Sequence, residues 1–114
     1  MKFNYKEVYE KIHNISGLSL EDTKLFFESL FIYTMLNYLE KEPTYFPNVG
    51  KVKFNYIGEQ YSNGTNKKAR VDFEFEPDDY LLKNIGQAED GDETDIEKKF
   101  KERIGSVLVD IVEG

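Results

Sequence analysis

The fold turns on residues 42–86, EPTYFPNVGKVKFNYIGEQYSNGTNKKARVDFEFEPDDYLLKNIG. From Lys51 to about Tyr61 apolar and polar residues alternate, Val52, Phe54 and Tyr56 against Lys53 and Asn55, the period-two pattern of a half-buried strand. Asn63-Gly64 is a strong hairpin signal, because a type I′ turn needs positive φ at both positions. Centring the turn there pairs Tyr61 with Asn66, Tyr56 with Val71, Phe54 with Phe73 and Val52 with Phe75. Turn and alternation then agree, since one face of both strands collects the apolar residues. A short strand at Tyr45-Phe46 precedes the hairpin, with Pro47 at a bend. Pro77 opens a short helix, Asp78 to about Ile85, which Gly86 caps.

Two helices come before this block. The first runs from about Tyr5 to Asn14, with Asn4 as N-cap, Glu7 completing a capping box, and Gly17 as C-cap. Tyr5, Val8, Tyr9 and Ile12 form its apolar stripe. The second runs from about Leu20 to Lys41, with Ser19 as N-cap. Its apolar residues, among them Phe26, Leu30, Phe31, Tyr33, Met35 and Tyr38, cover more than one face. A helix apolar nearly all round needs partners on most sides. Those six residues are therefore the expected oligomer interface, with helix 2 packed against a second chain.

Residues 87–95, rich in acid and glycine, read as a solvated linker after a domain of residues 1–86. Residues 96–114 read as an amphipathic extension, helical to about residue 104 and open between helix and strand at 105–112. Phe100, Ile104 and Leu108 on its stripe are candidate partner contacts.

Composition narrows the function. The chain has no cysteine, one histidine and a formal net charge of -7. Disulfide and thiolate chemistry are excluded, and a reducing compartment is expected. No apolar run approaches a membrane span, and the N-terminus lacks a signal-peptide core, so a protein of the cytoplasm, or of a particle assembled there, is expected. His13 reads as a surface or packing residue rather than a base. Asp78 and Asp79 point apart on a helix and read as N-terminal charge, not a dyad. Glu89–Asp95 lacks the spacing of a calcium loop. No enzyme, metal site or cofactor is expected. Only residues 55–72, with Lys67, Lys68 and Arg70 against Glu59 and Asp72, are net basic.

Helix, Gly17-Leu18-Ser19, helix, Asn48-Val49-Gly50-Lys51-Val52, β-arm, and Phe75-Glu76-Pro77 with Leu81 and Leu82 resemble, in order and spacing, the HU/IHF family of DNA-bending proteins. The resemblance spans residues 1–86. It implies an α+β fold of two helices, a three-stranded antiparallel sheet carrying a β-arm, and a short third helix, intertwined as a dimer. The departures bear on function. The family's arm tip carries an Arg-Asn-Pro wedge that opens base steps in the minor groove; here the arm has no proline and is shorter, and the body is neutral to acidic.

Two functions follow as expectations. The first is an assembly protein that keeps the fold and acts through protein–protein contacts; because relatives occur in bacteriophage genomes, the resemblance extends this to a virion ring or connector. The alternative is non-sequence-specific DNA binding and bending by the arm, through Tyr61, Asn63, Lys67, Lys68 and Arg70. An acidic body opposes that alternative, since phosphate neutralisation supplies most non-specific affinity.

Overall fold

The computed structural model describes residues 3–104, and over these the protein is α+β. The elements run α1 (Tyr5–Ser16), α2 (Leu20–Leu39), β1 (Thr44–Phe46), β2 (Gly50–Ile57), β3 (Gln60–Ser62), β4 (Thr65–Lys67), β5 (Arg70–Pro77), α3 (Asp79–Glu89) and α4 (Asp95–Ile104). Whether residues 105–112 are helix or strand lies outside the described residues, as does Leu108.

The helix ends are set by local hydrogen bonding. Asn4 accepts the Glu7 N–H at 3.2 Å, and Ser19 Oγ accepts the Asp22 N–H at 3.0 Å, so each cap satisfies a free donor of its first turn. Gly17, at φ 75°, closes α1 by donating its N–H to His13 O at 2.8 Å. α2 ends with Lys41 in the left-handed region at φ 62°. The Lys41 and Glu42 amides bond Tyr38 O and Asn37 O, the paired closure usually built around glycine. α2 therefore stops at Leu39, earlier than the sequence suggests, because Pro43 and this closure leave no room for another turn.

The sheet order is β1-β2-β5, antiparallel throughout, with a separate two-stranded β3-β4 tip. The register is the one the Asn63-Gly64 turn predicts: Val52 faces Phe75, Phe54 faces Phe73, Tyr56 faces Val71, and Tyr61 faces Asn66. The long strand expected to reach Tyr61 is instead broken at Gly58-Glu59, opposite Lys68-Ala69. No residue is gained or lost across the break, so the same register resumes in the tip. The turn itself has Asn63 at φ 51° and Gly64 at φ 76°, as a type I′ hairpin requires. Asn48, at φ 68° after Pro47, turns β1 into β2 with Val49 N–H bonded to Phe46 O at 3.0 Å.

Two further expectations are corrected. Gly86 does not cap α3; the helix runs through it to Glu89, and Gly91, at φ 78°, provides the left-handed stop. The stretch expected as linker is therefore helical at its start and ordered at its end. Gln87 bonds Asp95 twice, accepting its N–H at 2.9 Å and donating to its carboxylate at 3.0 Å. Asn84 Oδ1 accepts the Ile96 N–H at 2.9 Å, Thr94 Oγ1 the Glu97 N–H at 3.3 Å, and Thr94 O the Lys98 N–H at 3.2 Å. All the donors of α4's first turn are thus met by the corner between α3 and α4.

Chain contacts divide the protein into two compact units, one of residues up to 32 and from 84 onward, the other of residues 33–83. The first contains the α3–α4 corner and an aromatic run on α1 and α2, Tyr5 to Tyr9 to Phe27 to Phe26, with ring centroids 6.4, 5.8 and 5.5 Å apart. The second contains the sheet. There Asn37 Nδ2 donates to the buried Thr44 hydroxyl at 3.4 Å, and Tyr33 OH donates to Tyr45 O at 3.5 Å.

Candidate interaction surfaces

Among the described residues no hydrophobic side chain is buried; the buried polar residues are Thr23, Thr44, Asn84 and Thr94. The apolar groups are laid out instead as surfaces. On α2, Leu25, Phe26, Phe31, Ile32, Leu36 and Leu39 are each more than half exposed, Phe31 at 65% and Leu39 at 69%. Of the six residues expected at an interface, Phe26, Phe31, Tyr33 and Met35 are exposed, while Leu30 and Tyr38 are half-buried. Successive α2 residues step by about 100°, so Leu25, Ile32, Leu36 and Leu39 share one face, with Phe26 and Phe31 flanking it on either side.

A second surface is the sheet face of Val52, Phe54, Tyr56, Val71, Phe73 and Phe75, which the register gathers on one side. Tyr56, Val71, Phe73 and Phe75 are exposed on it, Phe73 at 67%. Sequence reasoning identified this face but did not count it as interface; the alternation of Val71, Phe73 and Phe75 was the available signal. Also unassigned from sequence is a groove of about 650 Å³ on the first unit, lined by Phe3, Tyr5, Val8, Tyr9, Phe27 and Phe31 among others.

The opposite sheet face is ionic. Lys51 Nζ lies 2.9 Å from Glu76, Lys53 faces Glu74, and Arg70 Nε lies 3.3 Å from Asp72 on the same strand. The Glu76 carboxylate, by its hydrogen bond and its charge, raises the Lys51 ammonium above its ordinary value. These bases balance acids beside them and offer little net charge to a phosphate backbone.

The arm residues separate accordingly. Arg70 belongs to the main sheet, paired with Asp72, whereas Tyr61, Asn63 and Lys67 belong to the tip and Lys68 to the break. Tyr61 is 74% exposed, and its hydroxyl donates to Glu59 at 2.9 Å. Lys67 and Lys68 are exposed and form no ion pair among the described residues. Tyr61 faces Asn66, so it lies on the opposite side of the ribbon from Lys67, which faces Gln60. On α4, Phe100 is half-buried and Ile104 is the last described residue. Lys101 bonds Glu93 at 2.8 Å, and that hydrogen bond holds the Glu93 carboxyl below its ordinary value.

Among the described residues, no three metal-ligating side chains cluster, and no helix is long and apolar enough to cross a membrane. Comparison with protein-family models and with curated proteins finds no match.

Proposed function

We propose that this chain is a non-catalytic subunit with an HU/IHF-like fold, acting through protein–protein contacts in an obligate oligomer, at minimum a dimer. The observation that carries this is the absence of any buried hydrophobic side chain among the described residues. Burying a Leu or Phe side chain fully is worth about 1.5–3 kcal/mol. Covering the exposed part of the six α2 residues would therefore contribute roughly 5–10 kcal/mol. That is as large as the whole net stability of an ordinary domain, about 5–15 kcal/mol. A second copy laying its α2 against the apolar sheet face would cover apolar groups of both chains. The acidic composition and the arm without a proline wedge favour an assembly role, such as a ring or connector of a phage particle, over a role on DNA.

The test is sedimentation equilibrium with circular dichroism over a wide dilution series. A folded oligomer that loses helical signal as it dissociates is the expected result. A folded monomer at all concentrations would overturn the proposal.

One observation favours the second reading, DNA binding by the arm: Lys67 in the tip and Lys68 beside it in the break are exposed and form no ion pair among the described residues. Fluorescence anisotropy with duplex DNA at rising salt distinguishes the two. Binding that weakens steeply with salt and is abolished by K67A/K68A/R70A supports the arm. No binding at low salt leaves protein partners.

A further inference from the structure

The tip also carries a reactive peptide step. Asn63-Gly64 is the sole Asn-Gly step in the chain. Both residues are exposed, and apart from its chain neighbours nothing lies within 4 Å of where a Gly64 side chain would stand. We propose that Asn63-Gly64 is a site of spontaneous deamidation in the folded protein.

The step needs no partner but water. The Gly64 backbone nitrogen attacks Asn63 Cγ, its proton passes to solvent, and the side-chain nitrogen leaves as ammonia. The resulting succinimide takes up one water at either carbonyl and opens to aspartate or isoaspartate. Glycine favours the attack because it has no side chain to shield its nitrogen.

Ring closure requires the backbone to leave the turn geometry of φ 51° and 76°. The fold makes that departure easy. The tip is held by three residue pairs, all of them exposed, and it is set apart from the main sheet by the break at Gly58-Glu59 and Lys68-Ala69. An isolated two-stranded hairpin is at best marginally stable in water, so the tip opens without unfolding the remainder.

Two changes follow in the product. Residues 55–72, net +1 as synthesised, become net zero. Where isoaspartate forms, an extra backbone methylene enters the turn and the Tyr61–Asn66 pairing can no longer close as it does now.

The experiment incubates the intact folded protein at mildly alkaline pH and follows each asparagine by peptide mapping with mass spectrometry. Asn66 is the internal control: it lies on the same exposed hairpin but precedes Lys67. The expected result is conversion of Asn63 well ahead of Asn66, with an acidic isoform that co-focuses with N63D. A parallel sample unfolded in urea gives the unprotected rate. Conversion of Asn63 no faster than Asn66 in the folded protein, with fast conversion in urea, would overturn the proposal by showing that the turn protects the site.

Discussion

The side-chain oxygen of Asn84 accepts the backbone N–H of Ile96 at 2.9 Å, tying the start of α4 to the middle of α3. Asn84 is 9% exposed, so water cannot readily replace it. Asn84→Leu keeps the volume but removes the acceptor. Leaving a shielded donor without a partner costs about 1–3 kcal/mol. The expected outcome is a lower midpoint in urea unfolding, with faster exchange of the Ile96 amide than in the unmodified protein.

Gly50 sits where β2 leaves its turn, and a Cβ there would collide with Glu76 O and lie 2.7 Å from the Phe75 ring. The oxygen belongs to backbone that pairs across the sheet and cannot swing aside. Overpacking of this kind typically costs about 1–3 kcal/mol. Gly50→Ala should lower the melting temperature and disturb the Gly50–Pro77 pairing, read by chemical shifts of β2 and β5.

The Lys101 hydrogen bond depresses the Glu93 pKa in the folded state. A depressed carboxyl contributes stability that is complete above its unfolded value, about 4.3, and is lost as pH falls through the lower folded value. The group is well solvated, so the effect is small and weakened by salt. Glu93→Gln should lower the melting temperature slightly near neutrality and converge with the unmodified protein at acid pH, flattening the acid limb of the profile.

Leu30 and Phe31 lie side by side on α2, the first half-buried and the second exposed. On the proposed oligomer, Leu30→Asp or Phe31→Asp places a charge in shared core and should abolish folding and association together. Phe73→Asp on the sheet face should do the same. Size-exclusion chromatography with circular dichroism reads both properties, and a mutant that stays folded as a monomer would count against the shared core.

The parts of the fold legible in the sequence are those fixed by local chemistry. Asn63-Gly64 sets a turn, the turn sets a register, and the register aligns Phe54 with Phe73 without further information. Asn4, Ser19 and Gly17 likewise mark helix ends because their side chains, or the lack of one, act within a few residues. The break at Gly58-Glu59 was not legible, since side-chain alternation reports faces and not where ladder bonds lapse. The end of α3 was misplaced because Gly86 and Gly91 are equally able to stop a helix; bonding of Gly91 and Asp92 to Ala88 O and Gln87 O selects the later one. Lys41 stops α2 in a conformation its residue type does not advertise. In sequence Lys67, Lys68 and Arg70 form one basic cluster; only the fold separates Arg70, taken by Asp72, from Lys67 and Lys68.

A chain that keeps its apolar groups on its surfaces has consequences for how it comes to exist. On the proposed reading, its folding is bimolecular: refolding should carry a phase whose rate rises with protein concentration, unlike the first-order kinetics of an ordinary small domain. In the cell, newly made copies would have to meet one another before other exposed apolar surfaces capture them. The level of synthesis, and not only the sequence, would then set how much functional protein is obtained.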